Sequence, residues 1–183
     1  MADAKTVLQK YVSDMISLEG HIFQAIDKQV KENKDDPEVQ SHFQTFSKTV
    51  EQHRNALQAR LNALGGAANQ PVKEGVSAVM GVAAGVIDKM RSEERSKDFR
   101  DDYTALNLSL ISYEMLHTTA LALNDRETAD LAARNVRDNA DFVMWIQRVT
   151  PRIVLKELQE NHDVTVNNTA LQETDKLISD IWK

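Results

Sequence analysis

Five acidic or imidazole residues stand out because they are set among apolar residues at helical spacing. Glu19 lies inside the stripe Val12, Met15, Ile22, Ile26, and His53 inside Phe46, Val50, Leu57, Leu61. Glu114-Met115-Leu116-His117 is a literal Glu-x-x-His, with His117 one turn after Tyr113 on the apolar side. Asp138 breaks the stripe Leu131, Phe142, Trp145, flanked by Asn135 and Asn139. A lone carboxylate is expensive to bury, so its appearance on an inward face asks for a partner. Carboxylate oxygen and imidazole nitrogen together suit iron or manganese. In helical bundles a dinuclear site takes inward carboxylates from two helices and a Glu-x-x-His pair from each of the other two.

Such a set needs long helices to hold it, and the periodicity supplies four. The first is predicted from about Ala4 to Asn33, on Leu8, Val12, Met15, Leu18, Ile22, Ile26 and Val30. Asp35-Asp36-Pro37-Glu38 reads as a turn and helix start, with proline in the first turn and acid at the positive end of the dipole. The second helix then runs through Val39, Phe43, Phe46, Val50, Leu57 and Leu61 until Gly65-Gly66 ends it. A third covers about Asp98 to Leu123, and Asn124-Asp125 is a tight break with Asp125 as N-cap. The fourth uses Leu131, Val136, Phe142, Trp145, Ile146 and Val149, and is expected to stop before Pro151. Arg152 to Asn161 and Ala170 to Trp182 read as two shorter helices, the second capped by Asn167-Asn168-Thr169.

Loop lengths then decide topology. Helices one and two, and three and four, are joined by very short turns and form antiparallel hairpins. Between the hairpins lies the long connection 65–97, enough to carry the chain from one end of a bundle to the other. Helices two and three are therefore predicted to run parallel, as in ferritin-like bundles with one long crossover. Within the connection, Val72 to Met90 is rich in Val, Ala and Gly and reads as a small-residue helix lying on the bundle. The reading is one all-α domain over 1–183, with 151–183 as a C-terminal helical extension. Measured along these helices from their turns, Glu19, His53, Glu114 and the region from Asn135 to Asp138 fall at one height, a polar layer at mid-bundle.

Bulk composition narrows the function. A net charge of −6 over 183 residues gives no basic face for nucleic acid and no attraction to an anionic membrane. With no cysteine, disulfides, thiolate metal sites and cysteine catalysis are excluded. No apolar run reaches the roughly 20 residues of a spanning helix, and the N-terminus carries no signal-type segment, so a cytoplasmic protein is expected. There is no Gly-x-Ser-x-Gly elbow and no phosphate-cradling glycine loop. His21, His42 and His162 read as ordinary polar helix or tail residues.

The chain also resembles a known family. Ser17-Leu18-Glu19-Gly20-His21-Ile22, His53-Arg54-Asn55-Ala56-Leu57 and Ala63-Leu64-Gly65 are similar to the ferritin-like superfamily. So are Leu110-Ile111-Ser112-Tyr113-Glu114, Asn124-Asp125-Arg126-Glu127-Thr128-Ala129 and the stretch from Trp145 through Pro151 to Leu155. Within it the closest group is the bacterial stress-associated YciE/YciF-type proteins, over residues 3 to 160. The resemblance implies a bundle whose interior holds a di-iron or related carboxylate site, usually within a dimer. This sequence departs from that pattern. Val50 stands where Glu would precede His53 by three residues, and the helix-three carboxylate falls on Ser109. The helix-four Glu-x-x-His falls on Asn139 and Phe142, leaving Glu19 and His53 as survivors.

Two functions are therefore expected in competition. One is a non-enzymatic, stress-associated bundle that dimerises or binds a partner and keeps a degenerate, hydrogen-bonded metal cavity. The other is a di-iron-type carboxylate protein that oxidises or stores iron, with Glu19, His53, Glu114, His117 and Asp138 as metal ligands. Trp145, Trp182 and the small-residue crossover are the surfaces expected in a homodimer.

Overall fold

The computed structural model describes residues 3–66, 95–162 and 164–181, and among these it is all-helical. Helix α1 spans Ala4–Glu32, α2 Pro37–Ala63, α3 Arg95–Ala122, α4 Arg126–His162 and α5 Ala170–Ile181. The expected crossover helix, Val72 to Met90, and the dimer residue Trp182 lie outside the described residues.

The local stops and starts follow the residues that encode them. Asp36 caps α2, its carboxylate accepting from the Val39 amide at 3.2 Å, with Pro37 in the first turn. Gly65 leaves α2 at φ +80°, a left-handed conformation that costs glycine little. Asn124 takes φ 57° in the turn between α3 and α4, and Asp125 caps α4 by accepting from the Thr128 amide at 3.0 Å. Short side chains that hydrogen-bond their own backbone win these positions over helix formers.

Cross-helix contacts fix the directions. Along α1 and α3, Lys28 meets Asp98 and Glu19 meets Ser109, so one number falls as the other rises and the pair is antiparallel. Helices α1 and α2 are antiparallel across their short turn, which makes α2 and α3 parallel. Both ends agree. Arg95 at the start of α3 binds Asp35 in the α1–α2 turn, and Arg60 near the end of α2 binds Asp125 and Glu127 beyond the end of α3. The chain therefore leaves α2 at one end of the bundle and begins α3 at the other, as the loop lengths predict.

Helix α4 corrects one expectation. It does not stop at Thr150 but continues through Pro151 as a single 37-residue helix. Proline removes one intrahelical hydrogen bond and disfavours the helical conformation before it. Packing outweighs that local cost: Ile153 is buried in the core, and Glu157 accepts from the Ser96 amide at 2.9 Å, capping the first turn of α3 from a neighbouring helix. The predicted separate helix over Arg152 to Asn161 is thus the last part of α4. Beyond it, α5 rests on α4 around Thr150 to Leu155, and none of its side chains is buried.

The core forms where the four stripes meet. Toward the α1–α2 turn it is aromatic. Phe43 meets Phe99 edge-on at 5.3 Å, Phe46 stacks on Phe142 at 3.8 Å, and His42 covers Trp145 at 4.6 Å. Moving away from that turn, the aromatic section gives way to the polar layer.

Candidate metal centre

Glu19 is fully buried at mid-height of α1 and His53 is 3% exposed on α2, so the two stripe-breaking residues do turn inward. They face each other. His53 Nδ1 lies 3.7 Å from Glu19 Oε1, inside ion-pair range and just beyond a direct hydrogen bond. The opposite ring nitrogen, Nε2, lies 3.1 Å from Asp138 Oδ2, and Asp138 itself stands at the rim with its side chain 51% exposed. One imidazole thus sits between a buried carboxylate and a surface carboxylate.

The other two helices complete the layer with neutral groups. Ser109 on α3 donates to Glu19 Oε1 at 3.3 Å, and Asn139 on α4 donates to Ser109 Oγ at 2.9 Å and to the same Glu19 oxygen at 3.4 Å. One turn away, Asn135 donates to the Tyr113 hydroxyl at 2.9 Å. Three buried atoms in this layer make no direct hydrogen bond: Glu19 Oε2, His53 Nδ1 and Asn139 Oδ1.

The electrostatics follow from the placement. Burial by itself would lower the pKa of His53, but the facing Glu19 carboxylate and the hydrogen-bonded Asp138 outweigh it, and the imidazolium form is favoured. Tyr113 is pushed well above its usual range by burial, and then by the negative charge of Glu19.

Of the five residues singled out as ligands, three meet: Glu19, His53 and Asp138. Glu114 and His117 are not brought to the layer. Glu114 lies more than a turn beyond Ser109 and is exposed, because its neighbour Tyr113 is the buried residue and adjacent positions on a helix point about 100° apart. His117, half-buried, lies a turn further on. Their places are taken by Ser109 and Asn139, the positions onto which the family pattern mapped absent ligands. Tyr113 and Asn135 carry a signal in the sequence too, an inward tyrosine opposite an asparagine that breaks the α4 stripe.

These residues do not fit a dinuclear centre. Only Glu19 supplies a buried carboxylate, Val50 and Phe142 fill two expected ligand positions with hydrocarbon, and two divalent ions would leave uncompensated positive charge in a dry core. Among the described residues no three His, Asp or Glu side chains converge as a metal-ligand group.

With the bundle and its layer in view, the relatives can be placed. A family model described as "Domain of unknown function (DUF892)" matches residues 3–159. The chain belongs to this family. Among curated proteins none matches the sequence. A protein of Xanthomonas campestris pv. campestris has a similar crystal structure, with a TM-score of 0.73 at 17% identity, covering 88% of this chain and 99% of that one. The E. coli stress protein YciF is similar at a TM-score of 0.67 and 16% identity, covering 85% of this chain and 99% of YciF. The resemblance to YciE/YciF-type proteins read from the sequence is thereby borne out, and with it the helical-bundle fold. Helix α5 begins beyond the span that the family model matches.

Proposed function

We propose that this DUF892 protein is a stress-associated helical bundle that works by association rather than by catalysis, its di-iron site reduced to a hydrogen-bonded polar layer. The observation that carries the reading is the donor set around Glu19: a serine hydroxyl and an asparagine amide contact its carboxylate where two more acidic ligands would be required. Donors of this kind stabilise one buried carboxylate but cannot balance two metal ions. The association with stress rests on the likeness to YciF, which is described as a stress protein. Among the described residues no helix is long and apolar enough to cross a membrane, and the reading places the protein in the cytoplasm.

Association has a surface available. On the outer side of α3, Ile111 and Met115 are each 51% exposed and Leu121 is 44% exposed, more apolar area than a solvated helix face needs. An isologous homodimer is the simplest way to cover it. Light scattering at tens of micromolar is expected to give the mass of two chains, and a monomer there would refute the dimer.

Iron loading tests the central claim. Metal-free protein is given two equivalents of Fe(II) under argon and then exposed to air. No oxo-bridged diferric absorption is expected, and iron should oxidise no faster than in buffer. Rapid oxidation with two irons retained per chain would overturn the reading.

A further inference from the structure

Away from the mid-bundle layer, α4 and α5 enclose a cleft of about 370 Å³, within the roughly 300–1,000 Å³ of small-molecule sites. We propose that this cleft binds a neutral aliphatic molecule, a hydrocarbon chain without a charged end group. The inference is independent of the polar layer. It falls on α5, which begins beyond the span that the family model matches.

Three observations carry it. The first is the chemistry of the lining. Pro151, Val154 and Leu155 of α4 face Ala170 and Leu171 of α5, and no charged side chain lines the cleft. Its two side-chain hydroxyls are spent within their own helices. Thr150 donates to the Ile146 carbonyl at 2.7 Å, and Thr174 to the Ala170 carbonyl at 2.9 Å. Proline contributes no N–H. A ligand here finds hydrocarbon to pack on and no free donor for a polar head, so the lining selects an apolar molecule.

The second is the distribution of bulk on α5. Ala170, Leu171, Thr174, Leu177 and Ile181 share one side of the helix, and Glu173, Asp175, Lys176 and Asp180 share the other. A helix that served only to cover α4 would turn its largest residues onto it. Instead the cleft side carries Ala170, Leu171 and Thr174, while Leu177 and Ile181 are 61% and 63% exposed. Across the cleft Val154 is itself 38% exposed. Helix α5 thus roofs this part of α4 and leaves room between them that protein side chains do not fill.

The third is size and charge. A dry cavity of about 150 Å³ holds a benzene ring, and a methylene group fills about as much space as a water molecule, roughly 30 Å³. A cleft of about 370 Å³ therefore accepts a chain of roughly ten carbons. The outer side of α5 sets Glu173, Asp175 and Asp180 against the single Lys176. A carboxylate or phosphate head at the mouth meets like charge there, so a neutral chain is favoured over a fatty acid or an anionic lipid.

Fluorescence of the neutral dye N-phenyl-1-naphthylamine, with displacement by straight-chain alcohols, tests this on the full chain. The dye is expected to bind saturably, one per chain. Displacement should strengthen about two- to fourfold per methylene from hexanol to decanol and then level off. Decanoate should displace about fivefold or more weakly than decanol. Thr174→Phe fills the cleft and Val154→Glu puts a charge in its wall, both at partly exposed positions. Each should weaken dye binding about tenfold or more, with circular dichroism unchanged. Ile111→Glu, on the outer side of α3, should leave binding unaltered. Absence of saturable binding by the folded wild type would overturn this inference and leave the proposed function standing. Binding that survives both cleft variants, or decanoate that binds more tightly than decanol, would overturn it too. If a second copy fills the cleft instead, light scattering will give the cleft variants a lower mass than the wild type and the dye will not bind. If the exposed side of α5 serves a lipid surface instead, the protein will sediment with phosphatidylcholine vesicles, Leu177→Glu will release it, and no alcohol will displace the dye. Either outcome overturns the inference.

Discussion

Two of the buried acids, Glu19 and Asp102, have different surroundings. Glu19, in the central layer, faces the His53 imidazole and two neutral donors. Asp102 on α3, toward the α1–α2 turn and 6% exposed, has the Gln29 amide as its hydrogen-bond partner, and its Oδ2 has no partner. The cation nearest in its electrostatics is Lys28, which is itself engaged with Glu32 and Asp98. Burial, reinforced by the charges of Asp98 and Asp101, pushes Asp102 well above the usual carboxylate range. Burial alone therefore does not make a site. It sets a penalty, and what faces the carboxylate decides whether that penalty is offset by a partner or by retaining a proton.

The largest expected effect belongs to truncation of Glu19. Glu19→Ala should destabilise the metal-free protein by ~1–3 kcal/mol at neutral pH, because it leaves a buried imidazole short of its partner. Glu19→Gln should cost less, since the amide still accepts from Ser109 and Asn139. Chemical denaturation of the three proteins measures both differences. Equal costs for Ala and Gln would mean that Glu19 contributes through its charge and not through packing or hydrogen bonds.

Asp102→Asn should act in the opposite direction. The folded-state pKa of Asp102 is raised above the unfolded value, so the charged form is penalised by folding and stability is lost as pH rises through the folded-state pKa. The amide escapes that loss. At pH 7 the variant should be more stable by on the order of 1 kcal/mol, roughly 2–4 °C in Tm for a chain of this size. Its advantage should vanish near pH 4, where both proteins are neutral at this position. A lower Tm at pH 7 would place Asp102 with Glu19 as a partnered acid.

The smallest expected effect belongs to Asp138, the exposed end of the imidazole's pair. Asp138→Asn in metal-free protein should cost about 0.2–1 kcal/mol, the range of solvent-exposed ion pairs. The His53 pKa is raised above 6.5, so the stability linked to its protonation is complete below that value and fades as pH rises through the folded-state pKa. The deficit of Asp138→Asn should therefore be largest near pH 5–6 and small near pH 9. NMR titration of His53 should show a lower pKa in the variant than in the wild type. An unchanged pKa would remove Asp138 from the pair.

Much of this was legible in the chain. A glutamate and a histidine set into unbroken apolar stripes had to face inward, because rotating them out would expose Ile22, Ile26, Val50 and Leu57. Ser109 and Asn139 were legible at the layer through the spacing of the family's motifs. The Glu114-x-x-His117 pair misled because α3 is apolar on two sides. Tyr113 and Leu116 are buried while Ile111 and Met115 lie outside, so hydropathy does not fix which face of α3 turns inward. Asp138 was singled out correctly as belonging to the layer, but its role as the rim-side partner of Nε2 depends on the approach of α2 to α4.

Local residue preferences set the four long helices, their starts at Asp36 and Asp125, the parallel course of α2 and α3, and the inward turn of Glu19 and His53. These depend on hydrogen bonds within a few residues, on the 3.6-residue period and on loop length, all of which are properties of short stretches. Only contacts between distant segments made α4 run through Pro151, buried Asp102 against a single amide partner, and set one imidazole between a buried carboxylate and an exposed one. Each of those turns on which groups from distant segments meet across the core. There the energies of packing and desolvation exceed the local preferences that a single segment can express.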